Sequence, residues 1–591
     1  MYILGISISH NSSAALMRGG EIVSACCEER FTKTKNYIGF PKQSIDYILR
    51  KEGILGSDLD NVVFTTVNNS GIYVKSKNST SFNLQDYYDY YGPKYFGKRM
   101  KGEDTLDYKK WLRDDIKFNQ DVEYLDFKFL TDEVLSDPVK DEELFADKCC
   151  EFLIETWGVE SRKIVFADHH TCHANYAYFG SPFRDKACIA VTLDGWGDGR
   201  NQTVWEIKNN DLNLLADSDQ NDLGRIYKFA TLLLGMRPDE HEFKVMGMAP
   251  YAKESYVEKA KSVIKDISDV KGLKIVSKNR PPDLLSYLER EWKFHRFDNI
   301  AGAVQLYTEE IVSKLFTNIY EETGIKRFVI SGGIAMNIKM NKVLGELDTV
   351  EEFFVCGSGG DESLAIGGCY FINAEKSKPL DHLYLGYDAE DDISNLETII
   401  KDKNFRIISD PGNELVASLL KDGDIVGLID GKAEFGARAL GNRSILANPS
   451  LKGSVQRINE AIKNRDFWMP FALSILDEVH EEYISNPKNF SSPFMAIGLD
   501  SKKSTYESIQ AGTHPYDRSV RPQFVRKDAN LNYHSLIDEF YRISGIPALL
   551  NTSFNLHGEP IVNNINDAVR TFELSGLDHL FICNKFLLSK N

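Results

Sequence analysis

Three apolar segments, each ending in a glycine-rich polar turn, constrain the fold of this chain more than any other feature. The segments end at Leu193, Ile330 and Cys356, and the turns span residues 194–199, 331–337 and 357–363. The second and third turns each open a helix, where backbone N–H groups suit phosphates and other anions. Three such turns in one chain predict an α/β fold with a nucleotide site.

The N-terminal residues predict an antiparallel meander and then a helix. Residues 2–17 read as strand, polar turn and strand, residues 21–26 form a third strand, and a helix follows Phe40-Pro41. Three strands and a helix open the nucleotide-binding fold shared by actin, sugar kinases and heat-shock ATPases. In that fold the first hairpin turn, which here contains His10, reaches the nucleotide phosphates.

Three of the chain's 12 histidines lie within five residues, from His169 to His173. On a helix, His169 and His173 stand at positions i and i+4 and project from one face. Neutral imidazoles one turn apart can bind a single metal ion and leave positions for oxygen ligands. The alternative is a polar helix start whose histidines hydrogen-bond locally. Acidic, glycine-flanked turns at Asp194 and Asp361 favour the metal site.

Length, charge and cysteine spacing limit the class of protein. A chain of 591 residues is expected to form at least two domains. Its formal net charge of −17 argues against a nucleic-acid backbone as the main partner, because phosphate contacts need a basic surface. We find neither an apolar run of membrane length nor a signal-peptide pattern. The nine scattered cysteines lack a CxxC pair, so we expect reduced thiols and a cytoplasmic protein.

The pattern of strands and glycine turns divides the chain into two domains. We expect a first domain over residues 1–378 and a second α/β domain over residues 388–591, with residues 376–379 and the acidic residues 388–392 as linker. Residues 68–144 are rich in tyrosine, lack a strand period and interrupt the first domain as an insertion. This insertion is either a lid that binds an acceptor substrate or a helical decoration packed by its own aromatic side chains.

The second domain gathers cationic and amide side chains around glycine turns. They are Arg438, Arg443, Lys463, Arg465, Arg518, Arg521, Asn551 and Ser553. Guanidinium forks with Asn and Ser donors suit phosphate or another planar anion. In a chain of net charge −17 this gathering favours an anion site, and solvated surface charge is the alternative for any single arginine.

Together these motifs resemble those of the O-carbamoyltransferases of the nodulation and cephalosporin carbamoyltransferase family. In the first domain the matching motifs are His10-Asn11-Ser12-Ser13, Glu28-Glu29-Arg30-Phe31, His169-His170-Thr171-Cys172-His173, Asp194-Gly195-Trp196-Gly197, Lys244-Val245-Met246-Gly247, Ser331-Gly332-Gly333 and Gly360-Asp361. In the second domain they are Glu434-Phe435-Gly436-Ala437-Arg438 and Leu550-Asn551-Thr552-Ser553-Phe554-Asn555. The resemblance covers most of the chain outside the insertion.

The resemblance implies a fold and a reaction. The first domain would have the actin-like fold of the universal tRNA threonylcarbamoyl transferase, and the second would be a YrdC-like α/β domain. The second domain would make carbamoyl-adenylate from carbamoyl phosphate and ATP with Mg²⁺. The first would pass the carbamoyl group to a hydroxyl of a small-molecule acceptor, such as a sugar or natural product. Adenylation fits because a carbamoyl group is a poor electrophile until it carries a good leaving group.

The resemblance also implies roles for particular residues. It implies metal ligands at His169, His173, Asp194 and Asp361, a general base at His10 and a carbamoyl-adenylate contact at Lys35. The nucleotide is expected at Gly332, Gly333, Asn337, Gly360 and Asp361, and carbamoyl phosphate with ATP at Arg438, Arg443, Lys463, Arg465, Arg521, Asn551 and Ser553. Arg518 competes with Arg521, because this region carries one residue more than the family pattern.

The expected cofactor and partners leave alternatives open. Two His and two Asp ligands suit iron, zinc or manganese, with iron favoured by the resemblance. The expected partner is a small-molecule acceptor, with no nucleic acid and no membrane, and a homodimer is compatible with the sequence. The alternative functions are tRNA threonylcarbamoyl transfer, which the acidic charge disfavours, a sugar kinase or actin-like ATPase, which needs no imidazole pair, and a nonenzymatic nucleotide-binding protein.

Overall fold

A computed structural model describes residues 1–76, 82–118, 124–463 and 466–590. It divides into two units, Met1–Pro379 and Leu380–Asn591, and both combine helices with β-sheets. The expected α/β fold class is therefore confirmed at the level of a mixed α/β protein. Within the described ranges, no helix is both long and apolar enough to cross a membrane.

The first unit contains two five-stranded sheets with the same strand order. Its strands are β1 (Tyr2–Ser7), β2 (Ser13–Arg18), β3 (Glu21–Cys27), β4 (Asn61–Phe64), β5 (Ile164–Phe166), β6 (Cys188–Gly197), β7 (Arg200–Lys208), β8 (Asp211–Ser218), β9 (Ser268–Lys271), β10 (Lys274–Ser277), β11 (Arg327–Ser331) and β12 (Glu352–Val355). In each sheet three strands form an antiparallel meander, and two later strands extend the sheet in parallel from the first of them. The order β3-β2-β1-β4-β5 thus recurs as β8-β7-β6-β11-β12.

Two helices of the first unit pack against each other between these sheets. The helices are α1 (Glu29–Thr32), α2 (Lys42–Glu52), α3 (Gly71–Ser76), α4 (Leu84–Asp86), α5 (Gly97–Met100), α6 (Leu106–Asp114), α7 (Asp132–Ser136), α8 (Pro138–Trp157), α9 (His169–Phe179), α10 (Leu223–Leu233), α11 (Glu242–Met248), α12 (Glu254–Lys261), α13 (Leu284–Trp292), α14 (Phe297–Thr323), α15 (Ile338–Glu346) and α16 (Leu364–Ile372). Helix α16 lies on the first sheet, α9 lies on the second, and the two contact each other. Their close approach requires Gly367, because a Cβ there would collide with the Cys172 carbonyl.

The insertion is helical and packs through its own aromatic rings. Residues 68–144 contain α3 to α7, the start of α8 and a π-helix, Tyr87–Phe96. Tyr90 stacks on Trp111 with 3.8 Å between ring centroids. Phe96 also contacts Phe229 of α10, outside the insertion, at 5.1 Å. The insertion therefore has an aromatic interior and is attached to the helix that follows β8.

Strand β6 is longer than the sequence indicates. We expected the chain to turn at Asp194, but β6 continues to Gly197. Its pairing with β7 shifts register between Leu193 and Gly197, so this stretch bulges out of the ladder. The turn comes only at Asp198-Gly199, where both residues have positive φ angles.

The second unit is built on an eight-stranded sheet. Its strands are β13 (Tyr384–Asp388), β14 (Phe405–Ser409), β15 (Val426–Ile429), β16 (Lys432–Glu434), β17 (Arg443–Ala447), β18 (Ala472–Leu476), β19 (Ile484–Ser485), β20 (Leu499–Ser501), β21 (Ser519–Val520), β22 (Pro522–Val525), β23 (Ala548–Ser553), β24 (His579–Ile582) and β25 (Phe586–Lys590). The order of the large sheet is β14-β25-β24-β15-β17-β23-β18-β22. Residues 388–392 are not a linker, because β13 pairs with β16 and a 3-10 helix, Ala389–Asn395, follows it.

Apolar side chains on both faces of this sheet form its core. Ile445 and Leu550 point into one cluster, and their chain neighbours Leu446 and Leu549 point into another. Neighbouring strand residues face opposite sides, so a strand covered on both faces reads as a continuous apolar run. The covering helices belong to the set α17 (Leu396–Ile400), α18 (Gly412–Asp422), α19 (Lys452–Ile458), α20 (His480–Tyr483), α21 (Tyr506–Ile509), α22 (Leu531–Ser544) and α23 (Ile565–Leu574).

Candidate active site

Asp168 begins the helix that carries the paired histidines. Its carboxylate accepts a hydrogen bond of 2.8 Å from the Thr171 amide, which caps α9 at His169. His169 and His173 therefore lie one turn apart on one face, and their ring centroids are 4.8 Å apart. Both rings are buried.

Four side chains from separate parts of the first unit converge at this helix end. Nε2 of His169 lies 2.9 Å from Asp194 Oδ2 and 3.7 Å from Asp361 Oδ1. Nε2 of His173 lies 3.3 and 3.6 Å from the same two atoms. One ligand atom from each of the four residues lies within 4.8 Å of the others. The structure thus brings together the four residues expected to bind a metal, which we call the His-Asp cluster.

Two serines orient members of this cluster. Ser331 Oγ lies 3.1 Å from His173 Nδ1, so the Nε2 atom of that ring faces the cluster. Ser9 donates a hydrogen bond to Asp361. Partners of this kind hold metal ligands in position and increase their affinity. No sequence pattern identifies either serine as a partner of the cluster, although Ser331 belongs to the Ser331-Gly332-Gly333 motif.

The carboxylates control the charge of the cluster. Burial alone lowers the pKa of His169, but Asp361 and Asp194 outweigh burial and raise it to about 9. The same carboxylates raise the pKa of His173 against the effect of burial. Burial raises the pKa of Asp194, yet the two imidazoles hold it well below its usual range. By contrast, burial lowers the pKa of His170 to about 3, so this third ring is neutral. The two carboxylates therefore favour positive charge at the cluster, which protons on the imidazoles or a metal ion would supply.

The glycine turns expected at the nucleotide lie beside the cluster. The amide of Gly332 donates to the Gly359 carbonyl at 2.8 Å, which joins the two turns. The Gly333 amide donates to Asp194 Oδ1 at 3.3 Å. These contacts bring Gly332, Gly333 and Gly360 next to the carboxylates of the cluster. Because glycine has no side chain, their backbones can come close to these carboxylates.

Asn337 is engaged in local structure. Its Oδ1 accepts a hydrogen bond of 3.0 Å from the Met340 amide and caps α15. Its Nδ2 donates to Gln305 Oε1 at 2.9 Å. A contact between Asn337 and a nucleotide stays a prediction.

His10 and Lys35 have different surroundings. Ser9, which bonds to the cluster, is the chain neighbour of His10, so the hairpin turn carrying His10 lies beside the cluster. The Nε2 atom of His10 is buried and has no hydrogen-bond partner among the described residues. Lys35 forms an ion pair with Glu240, with 3.0 Å between Nζ and Oε1. Glu240 has no motif that would have identified it from sequence.

The second unit brings several of the expected anion ligands to one end of its sheet. Lys463 Nζ lies 3.2 Å from Ser553 Oγ. Asn551 donates a hydrogen bond of 3.2 Å to the carbonyl of Ala439, the residue after Arg438. In the large sheet, Ala472 of β18 pairs with Asn551 on one side, and the next residue of β18 pairs with Pro522 on the other side. Arg521 precedes Pro522, so it lies beside Ala472, on the opposite side from Asn551. Arg518 is exposed and its guanidinium lies 4.6 Å above the Tyr506 ring. Arg465 lies outside the described residues.

Arg443 has a structural role instead of the expected one. Its side chain is fully buried. It donates five hydrogen bonds of 2.7–3.1 Å to backbone carbonyls of Tyr387, Asp430, Gly431, Asn442 and Asn563. An arginine has five N–H donors, so none is left for a phosphate. This arrangement disagrees with the prediction that Arg443 contacts carbamoyl phosphate.

Family models cover both units of the chain. Residues 2–370 match the model described as carbamoyltransferase N-terminus, and residues 417–590 match carbamoyltransferase C-terminus. The chain belongs to the carbamoyltransferase family. The expected enzyme class is therefore confirmed, and the His-Asp cluster lies in the part of this carbamoyltransferase that matches the N-terminal model.

Relatives extend over the whole carbamoyltransferase chain. An uncharacterized protein from Methanocaldococcus jannaschii is 30% identical over 100% of this chain and 99% of its own length. Nodulation protein NolNO from Sinorhizobium fredii is 29% identical over 98% of this chain and 79% of its own. A 3'-hydroxymethylcephem-O-carbamoyltransferase from Amycolatopsis lactamdurans is 29% identical over 43% of this chain and 47% of its own. The resemblance to nodulation and cephalosporin carbamoyltransferases is confirmed.

Proposed function

We propose that this carbamoyltransferase makes carbamoyl-adenylate from ATP and carbamoyl phosphate in its second unit and transfers the carbamoyl group to a hydroxyl of a small molecule in its first. The observation that supports transfer most is the His-Asp cluster beside the turn that carries His10, whose buried Nε2 has no hydrogen-bond partner in the described part of the chain. The net charge of −17 supports a small-molecule acceptor over tRNA. The printed name of the cephem relative supports oxygen as the atom that accepts the group.

We assign the actin-like fold to the first unit and a YrdC-like fold to the second. The repeated strand order of the two five-stranded sheets supports the first assignment, because actin-like proteins are built from two such halves. His10 lies in the hairpin turn between β1 and β2, the turn that reaches the nucleotide phosphates in that fold. The cationic end of the eight-stranded sheet supports the second assignment.

His10 would act as the general base. A base must reach the acceptor hydroxyl and titrate near working pH, which suits an imidazole. The acceptor oxygen would form a bond to the carbamoyl carbon as His10 takes its proton, and the bond from that carbon to AMP would break. A divalent iron, zinc or manganese ion bound by His169, His173, Asp194 and Asp361 would supply a Lewis acid that polarises the carbamoyl carbonyl.

The second unit would supply cations and donors for the phosphates of ATP and carbamoyl phosphate. Arg438 and Ser553 suit this role, because charge-assisted hydrogen bonds to phosphate are strong. Lys463 would have to exchange hydrogen bonds to Ser553 and Asn555 for a phosphate. Arg443 would act indirectly, since its five backbone hydrogen bonds hold the start of β17 next to the loop that carries Arg438.

Product mass spectrometry tests this function. The full chain is incubated with carbamoyl phosphate, ATP, Mg²⁺ and a panel of hydroxylated acceptors. We expect an acceptor with a carbamoyl mass increment, together with inorganic phosphate from carbamoyl phosphate, pyrophosphate from ATP, and AMP. A phosphorylated product would instead support a sugar kinase. In parallel, His169→Ala and Asp361→Ala should lose bound metal by elemental analysis and lose transfer, and full metal occupancy in both variants would refute the ligand assignment.

A further inference from the structure

Trp196 connects the insertion to the His-Asp cluster. It follows Asp194 by two residues on β6 and keeps 39% of its surface exposed. The guanidinium of Arg99, from the insertion, lies 5.0 Å from the centre of its ring. The guanidinium of Arg225, from α10, lies 5.6 Å from the same ring. Two cationic side chains thus flank one exposed indole close to the candidate metal ligands.

Arg99 is the less neutralised of the two cations. It is exposed, and the one hydrogen bond of its side chain in the described part of the chain goes to the Tyr95 hydroxyl at 2.9 Å. It forms no ion pair within the described ranges. Since a guanidinium has five N–H donors, most of those on Arg99 remain available to a ligand.

Arg225 shares its carboxylate with a third arginine. Asp222 is fully buried and accepts from Arg225 at 3.0 Å and from Arg280 at 3.1 Å. One carboxylate therefore serves two guanidiniums, so Arg225 and Arg280 together carry one positive charge more than Asp222 balances, and Arg99 adds another. This contrasts with the net charge of −17 for the whole chain.

The insertion is held against α10 on this side. Phe96 packs on Phe229 of α10, and Arg225 lies 5.9 Å from the Phe96 ring. The Arg237 guanidinium donates to the Phe82 carbonyl at 3.0 Å. The insertion therefore forms one wall of the approach to Trp196, and its attachment involves side chains on both sides.

We propose that Arg99, Trp196 and Arg225 form the acceptor-binding surface and select an acceptor that carries an oxyanion, a carboxylate, sulfate or phosphate, near the hydroxyl to be carbamoylated. The inference rests on the proposed function. ATP and carbamoyl phosphate are the reactants that all such enzymes would share, whereas the acceptor differs. The insertion contains none of the family motifs named above, although it lies within residues 2–370, which match the N-terminal family model, and we expect it to recognise the variable reactant. Guanidinium groups bind planar oxyanions through paired hydrogen bonds.

Equilibrium binding to matched sugars tests the proposal. Glucuronic acid and N-acetylglucosamine 6-sulfate are each compared with their neutral parent sugar by calorimetry, on the full chain without ATP. We expect the wild type to bind at least one anionic sugar about 10-fold more tightly than its parent, and the preference to weaken at high salt. Arg99→Gln should remove the preference, and Arg99→Lys should retain part of it. Lys101→Gln changes an exposed cation on the same segment and should behave like the wild type.

Arg225 is not the first choice for substitution, because its loss would leave the buried Asp222 with one partner fewer. Three results would overturn the proposal. The wild type would bind anionic and neutral sugars equally, it would bind neither anionic sugar, or Arg99→Gln would weaken the binding of an anionic sugar and of its neutral parent by the same factor. Pyrophosphate release from ATP and carbamoyl phosphate separates two further cases. If Arg99→Gln slows this release, the surface serves the nucleotide and the proposal is wrong. If neither the wild type nor any variant releases pyrophosphate while the preference for anionic sugars persists, the proposed function is wrong and the proposal of an oxyanion-binding surface is retained.

Discussion

The backbone amide of His169 donates a hydrogen bond of 2.7 Å to the carboxylate of Asp198. The same carboxylate accepts hydrogen bonds from the Thr66 hydroxyl and from the amides of Val67 and Asn68. Asp198 therefore ties the first residue of α9 to the chain that leads from β4 into the insertion. Gly197 leaves room for this arrangement, because a Cβ there would collide with the His169 ring.

We predict that Asp198→Asn lowers metal affinity by about 10–100-fold, the usual effect of losing a partner that positions a ligand. In this variant the Asn side chain would have to turn its NH₂ group toward one of the backbone N–H groups that now donate hydrogen bonds to the carboxylate. Two donors would then face each other, so the start of α9 should shift. Metal affinity is measured by chelator competition, and Asp211→Asn, at an exposed position on β8, is the control. Unchanged metal affinity in Asp198→Asn would show that His169 is positioned without this contact.

Replacing His10 should separate the two half-reactions. His10→Asn can still make a turn hydrogen bond but cannot take a proton. We expect carbamoyl transfer to slow by roughly 10²–10⁴-fold while carbamoyl-adenylate formation continues. Single-turnover transfer and pyrophosphate release measure the two steps, with His295→Asn as the control. Transfer at the wild-type rate would mean that another group is the base.

Arg438→Ala should have the opposite effect. We expect it to stop carbamoyl-adenylate formation and to leave transfer from supplied carbamoyl-adenylate intact, because His10 lies in the other unit. The backbone of its loop should persist, since Glu434 Oε1 accepts amide hydrogen bonds of 2.7 Å from both Leu440 and Asn442. Arg406→Ala, at an exposed position on β14, is the matched control. Equal loss of both half-reactions would argue against the division of labour.

Arg443→Met should act on stability. The change removes five buried hydrogen bonds and leaves backbone carbonyls without partners, which we expect to destabilise the second unit by on the order of 3 kcal/mol. Urea unfolding followed by a probe in the second unit measures the effect, and Arg438→Ala should change the midpoint far less. A midpoint for Arg443→Met close to that of the wild type would indicate that the guanidinium is not bound as described.

Glu28 should make stability depend on pH. Burial raises its pKa from 4.5 to about 7, against hydrogen bonds from Ser44 and Gln43 that favour the charged form. The pKa of Glu28 is higher in the folded state than in the unfolded state, so the folded state favours the protonated side chain. The contribution of Glu28 to the free energy of unfolding is therefore complete below pH 4.5 and is lost as the pH rises through 7. Glu28→Gln should therefore gain stability relative to the wild type between pH 5 and 8, by up to about 3 kcal/mol. A difference in urea midpoint that stays constant over this range would contradict the assignment.

Local sequence patterns were sufficient for much of the fold and for part of the site. Alternating and continuous apolar runs indicated the meander and the buried strands, and the spacing of His169 and His173 indicated one helical face. These signals depend on residues a few positions apart, so a sequence contains them directly. The end of β6 was misplaced because the bulge after Leu193 depends on pairing with β7, which no local pattern specifies.

By itself, the sequence determined which residue types could bind a metal, move a proton or bind a phosphate, and in which order they occur. Only the tertiary structure decided which of them meet. Ser9 reaches Asp361 because α16 packs against β1, and the insertion reaches Trp196 through α10. Arg443 points into the second unit, whereas Arg438, five residues earlier, is half-exposed on its loop. Contacts between distant segments arise from packing and from satisfying buried polar groups, and these conditions exist only once the chain has folded.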